Sequence, residues 1–154
     1  MPVLDNSLLV WNNAELTNTT ETGATYAIDQ QVVTRHMENG EEVGFGVFVT
    51  ALASSGATYN FKVKNVASAT DVITSAIDVA QTGAMTDTTD PRINASVAGF
   101  QNGFFLSIPP NSLKFRYVSL SMTGTGSPDI TVTAYLMNES EWSAYSTQPA
   151  NYTP

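Results

Sequence analysis

Apolar residues in this chain recur at every second position and almost nowhere at the three- and four-residue spacing of a helix. Tyr59, Phe61 and Val63 alternate with Asn60, Lys62 and Lys64, so one face of a strand over 58–66 is apolar and the other polar. The segment 129–136 alternates in the same way, with Ile130, Val132, Ala134 and Leu136 inward. The run 43–52 is apolar on both faces and carries Gly44 and Gly46, the pattern of a central strand. Further strands are predicted at 72–79, 104–108 and 114–122, with shorter ones at 8–11, 15–19 and 25–28. Helix formers are scarce and Thr and Val frequent, which weighs against long helices. Eight or nine short strands separated by turn residues predict a single-domain, all-β, antiparallel sandwich or barrel.

Turn chemistry suggests which strands pair. Ser54-Ser55-Gly56 separates 43–52 from 58–66, and Gly124 to Pro128 separates 114–122 from 129–136. Both read as hairpins. Two regions stand apart from the strands. Residues 82–100 form a long loop rich in Thr, Asp and Gly, of a length that is usually functional or ordered by a partner. Residues 138–154 carry Trp142, Tyr145 and Tyr152 in a polar setting without strand or helix period. They are expected to form an extended C-terminal arm beyond a 1–137 domain, docking in grooves or remaining a loose end.

Charge and composition narrow the function. With 154 residues there is material for one core of ordinary size. Charged residues make up 13%, about half the share typical of soluble domains, and the net charge is −8. That field repels phosphate backbones and anionic membranes, so neither nucleic acid nor membrane is an expected partner. The longest nearly uncharged apolar stretch, 43–53, is too short for a helix that crosses a bilayer, which needs about 20 residues. No signal peptide is read at the N-terminus.

The chemistry-bearing residues are few. There is no cysteine, and His36 is the one histidine, so multi-histidine metal sites and thiolate catalysis are out of reach. No Gly-x-Ser-x-Gly elbow accompanies His36. Asp71, Asp78 and Asp129 lie at strand ends or on outward positions, and nothing pairs two of them as a glycosidase would require. Two acidic turns, Glu38/Glu41/Glu42 and Asp87/Asp90, are candidates for a structural calcium but lack the ligand spacing of a dedicated loop; solvated or Asx-type turns are the simpler reading. No cofactor and no catalytic residue is expected.

The order of several short motifs resembles a known family. Leu4-Asp5, Leu8, Ala14 and Thr17 open the chain, followed by Ile28-Asp29 and Asn39-Gly40-Glu41. A Val-x-Val-Thr strand and Gly56-Ala57-Thr58 come next, then Lys114-x-Arg116-Tyr117-Val118-x-Leu120-x-Met122, a Gly/Pro loop and Thr131-Val132-Thr133-Ala134-Tyr135-Leu136. Over about residues 3–137 this run is similar to the cement, or decoration, proteins of tailed-bacteriophage capsids. The resemblance implies a jelly-roll sandwich, made in the host cytoplasm, that sits on the capsid exterior as a homodimer or homotrimer. It further implies that neighbouring major capsid proteins are clamped and that no reaction is catalysed. Leu8, Leu9, Trp11, Trp142, Tyr145 and Tyr152 are the candidate interface residues, with core burial the competing role for Leu8 and Trp11. The alternative function is a carbohydrate-binding β-sandwich in which Tyr59, Trp142 and Tyr145 stack on sugars.

Overall fold

The computed structural model describes residues 8–22, 27–29, 42–70, 76–109 and 111–146, the side chains of 145 and 146 excepted. In chain order the elements are β1 (Leu9–Leu16), β2 (Thr20–Thr22), β3 (Ile28–Asp29), β4 (Val43–Leu52) and β5 (Thr58–Val66). They continue with β6 (Ile77–Gln81), β7 (Met85–Thr86), β8 (Gly103–Ser107), β9 (Tyr117–Thr125), β10 (Ile130–Asn138) and the helix α1 (Glu139–Ser146). One antiparallel sheet has the order β1-β10-β4-β8. The second has the order β2-β9-β5-β6, with β3 also on β9 and β7 also on β5. The two sheets pack face to face, so the fold is the all-β sandwich that the alternation predicts.

The inner faces follow the period-2 pattern. Trp11, Ala134, Val47 and Phe104 lie opposite one another across the four-stranded sheet, while Phe61–Met122 and Val63–Leu120 are cross-strand pairs of the other. All eight are buried. Phe61 is the keystone between the sheets: Trp11 meets it edge-on at 5.9 Å and Phe104 lies 5.1 Å away. Val10 and Trp11 are adjacent and both buried. Register shifts between Leu9 and Ala14, with Asn13 at φ 47°, mark a bulged irregularity in β1.

Strand pairing departs from expectation at both supposed hairpins. β4 pairs with β10 and β8, whereas β5 pairs with β9, β6 and β7. Likewise β9 and β10 belong to different sheets. The Ser/Gly and Gly/Pro turns therefore carry the chain across the core from one sheet to the other. Tyr59 ties the two crossings together, because its buried hydroxyl accepts a hydrogen bond from the Asp129 backbone N–H at 2.8 Å. Burial, with the nearby Asp87 and Asp129 charges, raises the phenol pKa, although that backbone bond lowers it.

Several boundaries also move. The expected strands 8–11 and 15–19 are replaced by the single strand β1 over Leu9–Leu16, and β6 is described from Ile77 onward, the first part of the predicted 72–79 strand lying outside the described residues. The expected extended arm begins instead as a helix. Asn138 caps it, its backbone N–H bonding Oε2 of Glu141 at 3.0 Å in the capping-box manner. The Glu139 N–H bonds the Glu42 carbonyl at 2.9 Å and anchors the helix at the start of β4. Residues 147–154, including Tyr152, lie outside the described residues, as do His36, Glu38, Glu41 and Asp71.

Candidate functional site

The helix lies against the outer face of the four-stranded sheet, at a seat made by glycine. The paired positions Leu9, Tyr135, Gly46 and Phe105 form a row across this face. At Gly46 the Trp142 indole comes so close that a Cβ would stand 2.9 Å from its Cε3 atom. Gly44 plays the same part for Phe105, whose ring tip would be 2.8 Å from an added Cβ. Trp142 lies 4.9 Å from Phe48 and 6.5 Å from Phe105, inclined 28° to the latter. The two glycines of the central strand thus let a second aromatic cluster settle outside the sandwich.

At the β8 edge of that cluster, beside the end of β6, a cleft of about 440 Å³ opens. Gln81, Thr82, Arg92, Gln101, Phe105 and Trp142 are among its walls. Arg92 comes from the 82–100 segment and is held in place. Its Nε and NH2 groups donate to both carboxylate oxygens of Asp90 at 2.9 and 2.6 Å, and NH1 donates to the Thr82 carbonyl at 3.2 Å. The pairing pulls the Asp90 carboxyl below the usual range, the guanidinium hydrogen bond being the main cause, and raises Arg92.

The 82–100 segment orders itself around Asp87, which is fully buried. Its carboxylate accepts the backbone N–H groups of Ser55, Gly56 and Ala57 at 2.9, 3.0 and 3.0 Å. Its carbonyl accepts the Asn94 amide at 2.5 Å, and Ile93 plugs into the core. Asp87 therefore satisfies a turn between the sheets, and Asp90 is committed to Arg92; these contacts, rather than a cation, account for both carboxylates. Sequence spacing correctly marks Asp90 as an Asx turn, since its Oδ1 accepts the Arg92 N–H at 2.9 Å. It gives no sign of the long-range role of Asp87. Among the described residues no group of three or more His, Cys, Asp or Glu side chains is placed to hold a metal ion.

The sequence candidates separate clearly. Leu8 and Trp11 are buried in the core, the competing role that the sequence offers for them, and this corrects their candidacy as interface residues because they present little surface to a partner. Tyr59 is buried as well and cannot stack on a sugar. Leu9 is half-buried on the outer sheet face, and Trp142 is half-buried in the cleft wall. The side chain of Tyr145 lies outside the described residues. Sequence reading missed Gln81, Arg92, Gln101 and Phe105 as cleft residues, since they come from three separate segments. Lys62 and Lys64, on the other sheet, both pair with Asp78 of the neighbouring strand. Comparison with protein-family models and with curated proteins gives no match.

Proposed function

We propose that this chain is a structural virion protein that binds the outer surface of a tailed-phage capsid and clamps neighbouring major capsid proteins, as a homodimer or homotrimer and without catalysis. The observation that carries the reading is the ordered run of motifs over 3–137. Fold topology supports it. Two packed antiparallel sheets with strand orders β1-β10-β4-β8 and β2-β9-β5-β6 are compatible with the jelly roll that the resemblance implies. Surface chemistry supports it too. A low-charge surface rich in Thr, Ser and Asn makes neutral hydrogen bonds to a partner without burying unpaired charge. Repetition over a symmetric shell multiplies such weak contacts. Of the candidate interface residues, Leu9 and Trp142 have the half-buried side chains suited to an anchoring role.

Co-sedimentation with shells stripped of this protein tests the proposal. Saturable binding at a fixed ratio to the major capsid protein is the expected result. Binding that never saturates, or none, overturns it.

A further inference from the structure

We propose that the cleft between Trp142 and Arg92 is a binding site for a neutral saccharide. Its chemistry favours a polyol over an anion. The Arg92 guanidinium is already neutralised by Asp90 and held by the Thr82 carbonyl, so it offers directed N–H donors without a free positive charge. The chain as a whole carries a net charge of −8, which further disfavours anions. Gln81 and Gln101, both exposed at the rim, bring amides that donate and accept at once, as vicinal hydroxyl pairs require. Trp142 and Phe105, 6.5 Å apart with their planes inclined by 28°, also line the cleft and bring aromatic surface for the C–H face of a pyranose ring.

The site is preformed, which limits the ordering cost of binding. Trp142 is seated by Gly46 and Phe48, and Arg92 is fixed by three hydrogen bonds. A cleft of about 440 Å³ lies within the range of small-ligand sites and admits a mono- or disaccharide. The proposal is independent of the capsid reading, because shell binding and sugar binding are read in separate assays.

The test titrates the full chain with methyl glucoside, N-acetylglucosamine, maltose and cellobiose, with inorganic phosphate as the anionic control. Saturation-transfer NMR reports contact, and tryptophan fluorescence reports the indole. A Trp11→Phe protein assigns the optical signal to Trp142. At least one saccharide is expected to bind saturably, with Kd on the order of 1 mM. Gln101→Ala and Trp142→Phe are each expected to weaken it about fivefold or more, with unchanged circular dichroism. No saturation by any saccharide, binding of phosphate instead, or saccharide binding unaltered in both variants overturns the proposal.

Discussion

The two outer faces of the sandwich come from the same alternating pattern and have opposite characters. On the four-stranded sheet the outward row Leu9–Tyr135–Gly46–Phe105 is apolar, and Trp142 of the helix packs on its Gly46–Phe105 end. On the other sheet the corresponding row is Thr22–Ser121–Lys62–Gln81, beside Lys64 and Ser119. Glycine makes the difference on the first face, because it clears space for rings that a side chain would block. On the second face small hydroxyls stand at the centre; Ser119 and Ser121 are buried there although they point away from the core. Alternation fixes which residues face inward. What happens outside depends on whether the outward residues are missing a side chain or carry a polar one.

The sharpest way to break this contrast is to fill the glycine seats. At Gly44 an added Cβ would stand 2.4 Å from the Leu106 carbonyl oxygen, which is backbone and cannot turn aside. Gly44→Ala is expected to destabilise by about 3 kcal/mol or more in denaturant melts. Gly46→Ala presses on Met137 and the indole instead, so about 1–2 kcal/mol and a red-shifted Trp142 emission are expected. Equal losses at both sites would show that the aromatic cluster is not seated as described.

On the polar face the sign reverses. The Ser121 hydroxyl is buried and has no hydrogen-bond partner among the described residues. Ser121→Ala removes an unsatisfied group and is expected to raise stability by up to about 1 kcal/mol. A loss in the thermal melt would mean that the hydroxyl is satisfied after all.

The smallest effect concerns Asp78. Partial burial is the largest single influence and raises its pKa, but hydrogen bonds and charge from Lys64 and Lys62 together outweigh it, and the net shift is downward. A carboxyl with a depressed folded pKa adds stability above its unfolded pKa, and that stability is lost as pH falls through the folded value. Because Asp78 is 43% exposed, solvent screening limits the gain to at most about 0.5 kcal/mol. Asp78→Asn should therefore flatten the acid limb of the stability curve slightly and leave the four-stranded sheet untouched. Amide exchange confined to β5 and β6 is the measurement that checks it.

Strand positions were legible because burial on one face imposes a period that needs no partner to be seen. Pairing was not. A Gly/Pro turn between two alternating strands looks the same whether the chain folds back within a sheet or crosses to the facing one, and the choice is made by distant strands such as β9 for β5. The helix had a legible start in Asn138 and Glu141, a capping pair three residues apart. Its body lacks an apolar stripe, and Trp142 meets Phe48 and Phe105 of the sheet. The cleft was the least legible part. Gln81, Arg92, Gln101 and Trp142 are brought together by the fold alone.

The place of β10 between β1 and β4 has a consequence for the order in which the molecule is made. A ribosome delivers β10 only after the other described strands, so the four-stranded sheet cannot close until that strand has emerged. Until then the inner faces of β1 and β4 wait without their common neighbour. Folding dominated by such distant pairings is slow, on the order of milliseconds to seconds. Lower temperature or holding chaperones during synthesis will accordingly change the yield of soluble protein far more than the stability of what is recovered.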